Sequence, residues 1–300
     1  MSLRDYPRAL LAGLAARREA LPWHRPGGRE TLYWWLTTAL IFGGMWLAMG
    51  GYHAVFRPLN NAWSVVPDWL CECVTYSGDT LLALVLLLFV ARRWPQIVWL
   101  ALPSALIAAL LSRGMKLAFD AARPGALLAP GNFHLVGPLY LTKSFPSGHT
   151  VTAFVTAATF AWFLPRPWMR WGAFALALLV GLSRIGVGAH WPMDVVAGMA
   201  VGTLSVLLGG MVAQRWRWGL TPAGHLLLVA ALAGCAVALL LRDAVYPLAT
   251  QWGRAVAAAA LIVAICDYLL IPAMDALAPQ PAAMPLRRAA TPARRDATRD

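Results

Sequence analysis

Charged residues are scarce in this chain. Only 13% of its 300 residues are Asp, Glu, Lys or Arg, whereas 60% are hydrophobic and the mean hydropathy is +0.61. Soluble domains carry about 25% charged residues, so a soluble globular fold is excluded. Several apolar runs reach the roughly 20 residues that cross a bilayer. The composition therefore predicts an all-α, polytopic membrane protein built as a helical bundle.

Lysine is nearly absent, and arginine supplies most of the net charge of +12. The two lysines are Lys116 and Lys143. A basic excess can indicate nucleic-acid binding. Here the arginines lie at the ends of apolar runs, which fits membrane orientation instead. Since the sequence shows no basic stripe and no nucleic-acid-binding module, we predict no nucleic-acid partner.

Cysteine is also rare, with four residues in the chain. Cys235 and Cys266 lie inside apolar runs and are interpreted as small buried hydrophobic residues. Cys71 and Cys73 are too close in sequence for an unstrained disulfide. No obvious further ligands accompany them, so the sequence predicts no metal site there.

Eight apolar runs are predicted to cross the membrane. The first has no small-residue cleavage site, so we expect it to stay in the mature protein as a span. We divide the chain into a basic cytoplasmic segment (1–30), a transmembrane domain (31–272) and a basic tail (273–300), which is predicted to be disordered. Residues 3–20 are predicted to form an amphipathic helix on the membrane surface. The predicted spans cover about residues 31–51, 70–90, 95–122, 148–164, 169–185, 192–212, 224–241 and 253–272.

Arginine is unevenly distributed between the two sides of these spans. If the N-terminus is cytoplasmic, the cytoplasmic loops and termini hold most of the arginines, among them Arg92, Arg93, Arg215 and Arg217. This bias obeys the positive-inside rule. It places both termini in the cytoplasm and three polar motifs at the outer face, which in a bacterium is the periplasmic side of the cytoplasmic membrane.

Two cations lie near the end of the third predicted span. Lys116 and Arg123 are seven residues apart, so on a helix they share one face, about 10 Å apart along the axis. Two cations on one face can neutralise a dianionic phosphate, and an arginine fork matches its oxygens. The alternative is interfacial snorkelling with Asp120 as the counter-ion.

The fourth predicted span begins with the motif Pro146-Ser147-Gly148-His149. A helix start presents unpaired N–H groups and a positive dipole end, which together bind anions. Gly148 lets the backbone approach a ligand, and Ser147 can cap the helix or donate to a phosphate oxygen. His149 can give a proton to a leaving alkoxide. The alternative is an ordinary capped helix with an interfacial histidine.

A third motif connects the fifth and sixth predicted spans. Ser183 and Arg184 close the fifth span, and His190 follows in a short loop. Pro192 suits the first turn of the next helix, which also holds Asp194. Asp194 can bind one ring nitrogen of His190 and leave the other as a nucleophile. Attack on phosphorus would give a phosphohistidine, whereas the alternative is a pair that only caps the helix.

Together the three motifs resemble the signature of the type 2 phosphatidic acid phosphatase (PAP2) superfamily, which includes bacterial acid phosphatases and vanadium haloperoxidases. That signature is Lys, six residues, Arg-Pro; then Pro-Ser-Gly-His; then Ser-Arg, five residues, His, three residues, Asp. Every fixed position is filled in order between Lys116 and Asp194. The resemblance implies a core of six helices, to which this chain adds about two C-terminal spans.

The same resemblance implies a role for each motif residue. His190 would be the nucleophile, Asp194 would orient it, and His149 would be the general acid. The superfamily needs no metal, so neither a metal nor a cofactor is predicted. Phosphate would be bound by three cations and a helix start, namely Lys116, Arg123, Arg184, Ser147 and Gly148.

The predicted function is therefore metal-independent dephosphorylation of a membrane lipid. Candidate substrates are undecaprenyl diphosphate, phosphatidylglycerol phosphate, phosphatidate and a lipid A phosphate. The alternatives are a lipid phosphotransferase with the same site and a non-catalytic anion-binding or transport protein. The loop 125–145, with His134, Tyr140 and Lys143, is expected to help select the head group. The predicted partners are the lipid substrate and the surrounding membrane lipids; the sequence does not determine an oligomeric state.

Overall fold

The structure, a computed structural model, describes residues 5–18, 20–23, 25–129 and 131–277. Over these ranges the chain is helical and forms no β-strand, which confirms the predicted all-α class. The helices are α1 (Tyr6–Arg17), α2 (Gly28–Gly50), α3 (Phe56–Trp63), α4 (Asp68–Tyr76), α5 (Thr80–Leu86), α6 (Pro95–Phe119), α7 (Pro124–Leu127), α8 (Gly148–Phe163), α9 (Pro167–Gly186), α10 (Pro192–Arg215), α11 (Pro222–Leu241), α12 (Thr250–Ile265) and α13 (Ile271–Leu277).

Helix α10 lies at the centre of the bundle, where it packs against α2, α6, α8 and α9. Its glycines allow this close packing. A Cβ on Gly198 would lie 2.8 Å from the Cβ of Thr150, and one on Gly202 would lie 2.7 Å from the Val151 carbonyl oxygen. Small residues at helix interfaces let backbones approach closely in membranes. As a result the starts of α8 and α10, which carry two of the motifs, lie side by side.

The length and apolar character of the helices indicate a multi-pass membrane protein. Six helical segments in the described ranges can cross a membrane, and the bent pair α4–α5 would add a seventh. Large apolar side chains such as Leu40, Leu110 and Leu241 are exposed on the outside, as expected for helices that contact lipid. Helix α8 has 16 residues and is shorter than the roughly 20 residues of a typical span. The predicted count of eight spans is therefore not confirmed.

The second predicted span is broken instead of continuous. Helices α4 and α5 meet at 66°, because the Asp79 carboxylate caps a new helix by accepting hydrogen bonds from the backbone N–H groups of Leu81 and Leu82. At the bend, a Cβ on Gly78 would lie 2.8 Å from the Cβ of His149. The break therefore brings this segment against the start of α8, where the second motif lies.

The two ends of the described chain meet on one side of the bundle. Helix α1, which lies within the predicted 3–20 helix, packs against α13. The Tyr6 hydroxyl donates a 2.5 Å hydrogen bond to the carbonyl oxygen of Tyr268, which lies in a π-helical turn, Cys266–Leu270, between α12 and α13. The predicted disordered tail lies mostly outside the described residues, which end at Leu277. The predicted domain limits stay a prediction.

We expect the stability of the fold to depend on close packing between α8 and α10. Gly202→Ala would place a methyl group 2.7 Å from the Val151 carbonyl oxygen, and such overpacking lowers the free energy of unfolding by about 1–3 kcal/mol. Gly234→Ala is the matched control, because no atom lies within 4 Å of its Cβ position in α11. Thermal unfolding in detergent should show a lower midpoint for Gly202→Ala alone. Equal midpoints for the two variants would contradict the packing described here.

Candidate active site

The structure brings the third motif together around a buried carboxylate. Nδ1 of His190 lies 3.0 Å from Oδ2 of Asp194, and both side chains are almost fully buried. A carboxylate only accepts hydrogen bonds, so Nδ1 carries the hydrogen and Nε2 keeps its lone pair. The backbone N–H of Trp191 donates to the same Oδ2 at 2.9 Å. Asp194 thus caps its own helix and also fixes the His190 ring.

Two hydroxyl groups from distant segments complete the shell of Asp194. The Tyr52 hydroxyl, just after α2, donates to Oδ1, and the Ser144 hydroxyl, just before α8, donates to Oδ2. Burial and the neighbouring carboxylate raise the pKa of Tyr52, so its hydroxyl keeps the donated hydrogen. Sequence reasoning missed both residues, because neither belongs to a motif and no spacing relates them to Asp194.

The environment of His190 keeps its ring neutral. Burial lowers its pKa to about 3, and the positive charges of Arg123 and Arg184 act in the same direction, against the raising effect of Asp194. A neutral imidazole retains the Nε2 lone pair that a nucleophile requires. The His190 ring therefore has the charge state and tautomer for nucleophilic attack at neutral pH.

Arg123 lies directly in front of that nitrogen. One terminal nitrogen of its guanidinium is 3.2 Å from Nε2 of His190 and donates to the Ala189 carbonyl oxygen at 3.1 Å. Its Nε donates to the Thr142 carbonyl oxygen at 2.8 Å, and the guanidinium stacks over the Tyr140 ring at 4.8 Å. An anion bound to Arg123 would therefore lie within reach of Nε2.

The other two cations are held by neutral oxygens as well. Lys116 donates to the carbonyl oxygens of Lys143 and Pro146, both at 2.8 Å. Arg184 is 2% exposed and uses one terminal nitrogen to donate to the hydroxyls of Thr75 and Tyr246, both at 2.6 Å. Its buried Nε has no hydrogen-bond partner among the described residues.

Positive charge is in excess around these three cations, because the one carboxylate of the cluster, Asp194, acts on Lys116 and Arg123 only at a distance. Across the described ranges, neither Lys116, Arg123 nor Arg184 forms an ion pair with an acidic side chain. Asp120, the alternative counter-ion, has left-handed backbone geometry at the end of α6 and pairs with neither neighbouring cation. The excess positive charge favours binding of a multiply charged anion. In the part of the chain that the structure describes, no three His, Cys, Asp or Glu side chains form a metal site.

The second motif starts α8 as predicted. The Ser147 hydroxyl accepts a hydrogen bond from the Thr150 backbone N–H at 3.4 Å, which is the capping use foreseen for it. No atom lies within 4 Å of the Cβ position of Gly148, so the backbone there faces open space. His149 lies within electrostatic reach of His190 and of the three cations. The structure therefore places all eight predicted site residues in one cluster.

The loop 125–145 contacts the cluster and its supporting helices through backbone groups more than through side chains. The carbonyl oxygen of Lys143 accepts from Lys116, while the side chain of Lys143 is exposed. The backbone of His134 exchanges two hydrogen bonds with Asn60 of α3, and its ring lies 2.9 Å from the Gly186 carbonyl oxygen. Tyr140 contacts Arg123. Selection of a head group by this loop stays a prediction.

A cavity of about 570 Å³ opens beside the cluster, between α5, α6 and α8. His149 and Lys116 line it, and so do Asp79 and Arg242, which form an ion pair with each other. The rest of its wall consists largely of small and apolar side chains, including Leu84, Ala101, Ala105, Ala108, Val151 and Val155.

Parts of this chain are similar to known proteins. A lipid A 1-phosphatase of Rhizobium etli is 38% identical over 114 residues, which are 35% of this chain and 46% of that protein. An undecaprenyl-diphosphatase of Sulfolobus acidocaldarius is 40% identical over 84 residues, 26% of this chain and 39% of that protein. The crystal structure of Aquifex aeolicus LpxE is 28% identical and covers 54% of this chain and 93% of its own, with a TM-score of 0.47.

The match spans less than half the length of these curated relatives. The PAP2 superfamily model matches residues 97–218, which include all three motifs and exclude helices α11 to α13. The resemblance predicted from the motifs is thus confirmed, because residues 97–218 match the PAP2 superfamily model.

Proposed function

We propose that this protein is a membrane lipid phosphatase that works through a phosphohistidine. The observation that carries the proposal is the cluster itself: a neutral, oriented His190 lies among three cations, none of which forms an ion pair with a carboxylate of the described residues. Phosphoryl transfer depends mainly on positioning and on stabilising charge. An arrangement of this kind supplies both, and no other cluster of the described residues combines them.

The proposed reaction has two steps. Nε2 of His190 attacks phosphorus and the ester oxygen leaves with a proton from His149, which gives a phosphohistidine and the dephosphorylated lipid. A water molecule then attacks the phosphohistidine, His149 takes its proton, and phosphate leaves. Asp194 holds the ring of His190 throughout, while Lys116, Arg123 and Arg184 stabilise the charge on the phosphoryl oxygens. The helix start at Ser147 and Gly148 offers further N–H donors.

The substrate is proposed to be a lipid because the cavity beside His149 is mostly apolar and lies among helices that can cross the membrane. Such a wall can contact the hydrocarbon of a lipid without leaving buried polar groups unpaired. The relatives named above act on lipid A and undecaprenyl diphosphate by their names. We place these two lipids first among the four candidates, followed by phosphatidylglycerol phosphate and phosphatidate.

We further propose that the site faces the outer side of the bacterial cytoplasmic membrane. The arginine bias supports this orientation. The contact between α1 and α13 supports only one part of this orientation, namely that both ends of the described chain lie on the same side. In the proposed orientation that side is the cytoplasm.

The substrate proposal can be tested with purified protein and the four lipids in mixed micelles. We expect release of inorganic phosphate from at least one of them, with water as the acceptor. Parallel reactions with a lipid alcohol present would detect transfer, because a phosphotransferase would form a new lipid phosphate. If none of the four lipids releases phosphate, the proposed function is contradicted.

The nucleophile can be tested with His190→Ala. Removing Nε2 should lower phosphate release by at least about 10³-fold, because the covalent step is lost. His53→Ala is a matched control: His53 is an exposed histidine beside Trp191 and lies outside the cluster. It should retain activity close to that of the wild type, and both variants should elute as the wild type does in size-exclusion chromatography. Substantial turnover by His190→Ala would refute the assignment.

A further inference from the structure

Tyr246 links the C-terminal helices to the active site. It lies between α11 and α12, outside residues 97–218 that match the superfamily. Its hydroxyl accepts a 2.6 Å hydrogen bond from Arg184, and its ring lies 5.7 Å from the centre of the same guanidinium. Nothing in the three motifs points to a residue so far along the chain.

Several contacts fix the position of the Tyr246 side chain. It is 2% exposed, and a Cβ on Gly137 would lie 2.5 Å from its ring. Gly137 has a φ of +82°, which only glycine adopts without strain. The loop that carries Tyr246 is also tied down on both sides, because Arg242 pairs with Asp79 at 2.8 Å and the Leu248 N–H donates to Glu72 at 2.7 Å.

This contact determines which nitrogen atoms of Arg184 are left without a partner. One terminal nitrogen is fully used by the hydroxyls of Tyr246 and Thr75. The Nε, on another edge of the planar group, is buried and has no partner among the described residues. A buried donor of this kind is costly unless a ligand pairs with it. An oxyanion of the substrate would satisfy it.

We propose that Tyr246 is a positioning residue that holds Arg184 with its Nε edge toward the phosphoryl group, so that the C-terminal helices form part of the active site. This inference rests on the proposed function, since it assigns Arg184 to phosphate binding. It gives these helices a role in the reaction, whereas the sequence assigned them none.

The test measures binding of orthovanadate, a mimic of the pentacoordinate phosphoryl group, to the full-length protein in detergent. Tyr246→Phe should weaken vanadate binding about tenfold, as expected when a charged donor loses one hydrogen bond. In an Arg184→Ala background the same change should have less than about a twofold effect, because the two residues act as one unit. Affinity for the dephosphorylated lipid should not change.

Tyr268→Phe is the matched control. Tyr268 is also a buried tyrosine of the C-terminal region, and its hydroxyl lies 2.7 Å from Nε2 of His225, at the opposite end of the bundle from the cluster. It should bind vanadate as the wild type does even if its melting temperature falls. If Tyr246→Phe does not fold, Gly137→Ala keeps the tyrosine but displaces its ring, and should weaken vanadate binding to a similar extent.

The inference is overturned if Tyr246→Phe binds vanadate as tightly as the wild type. It is also overturned if Tyr246→Phe weakens vanadate binding equally in the wild-type and the Arg184→Ala backgrounds. These outcomes are separate from a failure of the proposed function, because vanadate binding needs no turnover. Wild-type protein that binds vanadate in a Tyr246-dependent way but releases no phosphate from any lipid would contradict the function and not the role of Tyr246.

Discussion

The carboxylate of Asp194 is the interaction on which the site depends. A buried charge is costly unless hydrogen bonds replace its water. Asp194 gathers four donors: the His190 ring, the Trp191 backbone, and the hydroxyls of Tyr52 and Ser144. These donors come from three separate parts of the chain. Satisfying one carboxylate therefore joins the segment after α2 and the loop before α8 to the start of α10, and the same bonds orient the proposed nucleophile.

The charge balance around this carboxylate explains why an anion would bind. Asp194 is the acidic side chain in contact with His190, and it is occupied by its own donors. The three cations are held by carbonyl and hydroxyl oxygens, which fix their positions without cancelling their charge. A membrane segment tolerates such charge at a functional site. Close glycine packing between α8 and α10 then keeps the two motif helices together.

The all-α class and the grouping of the eight motif residues could be predicted from the sequence, because apolar run lengths and motif spacing are local properties of the chain. The roles of the eight residues stay a prediction. The bend between α4 and α5 was not predicted, although the polar residues Ser77, Asp79 and Thr80 interrupt the apolar run there. Asp79 caps the new helix, and the break also depends on packing against the start of α8, which the sequence does not reveal. Tyr52, Ser144 and Tyr246 were missed for a similar reason. Each contributes one hydroxyl across a long sequence separation, and such a contact has no periodic signature. Span number also depends on where helices break, which composition alone does not determine.

The central claim is that His190 carries the phosphoryl group during turnover. It is tested most directly by rapid quenching of the wild-type protein with ³²P-labelled lipid phosphate, followed by mapping of the labelled peptide. The account predicts a transient label that is stable in base, labile in acid and located on His190. A wild-type protein that turns over substrate without forming any labelled enzyme, or that carries the label on another residue, would contradict it.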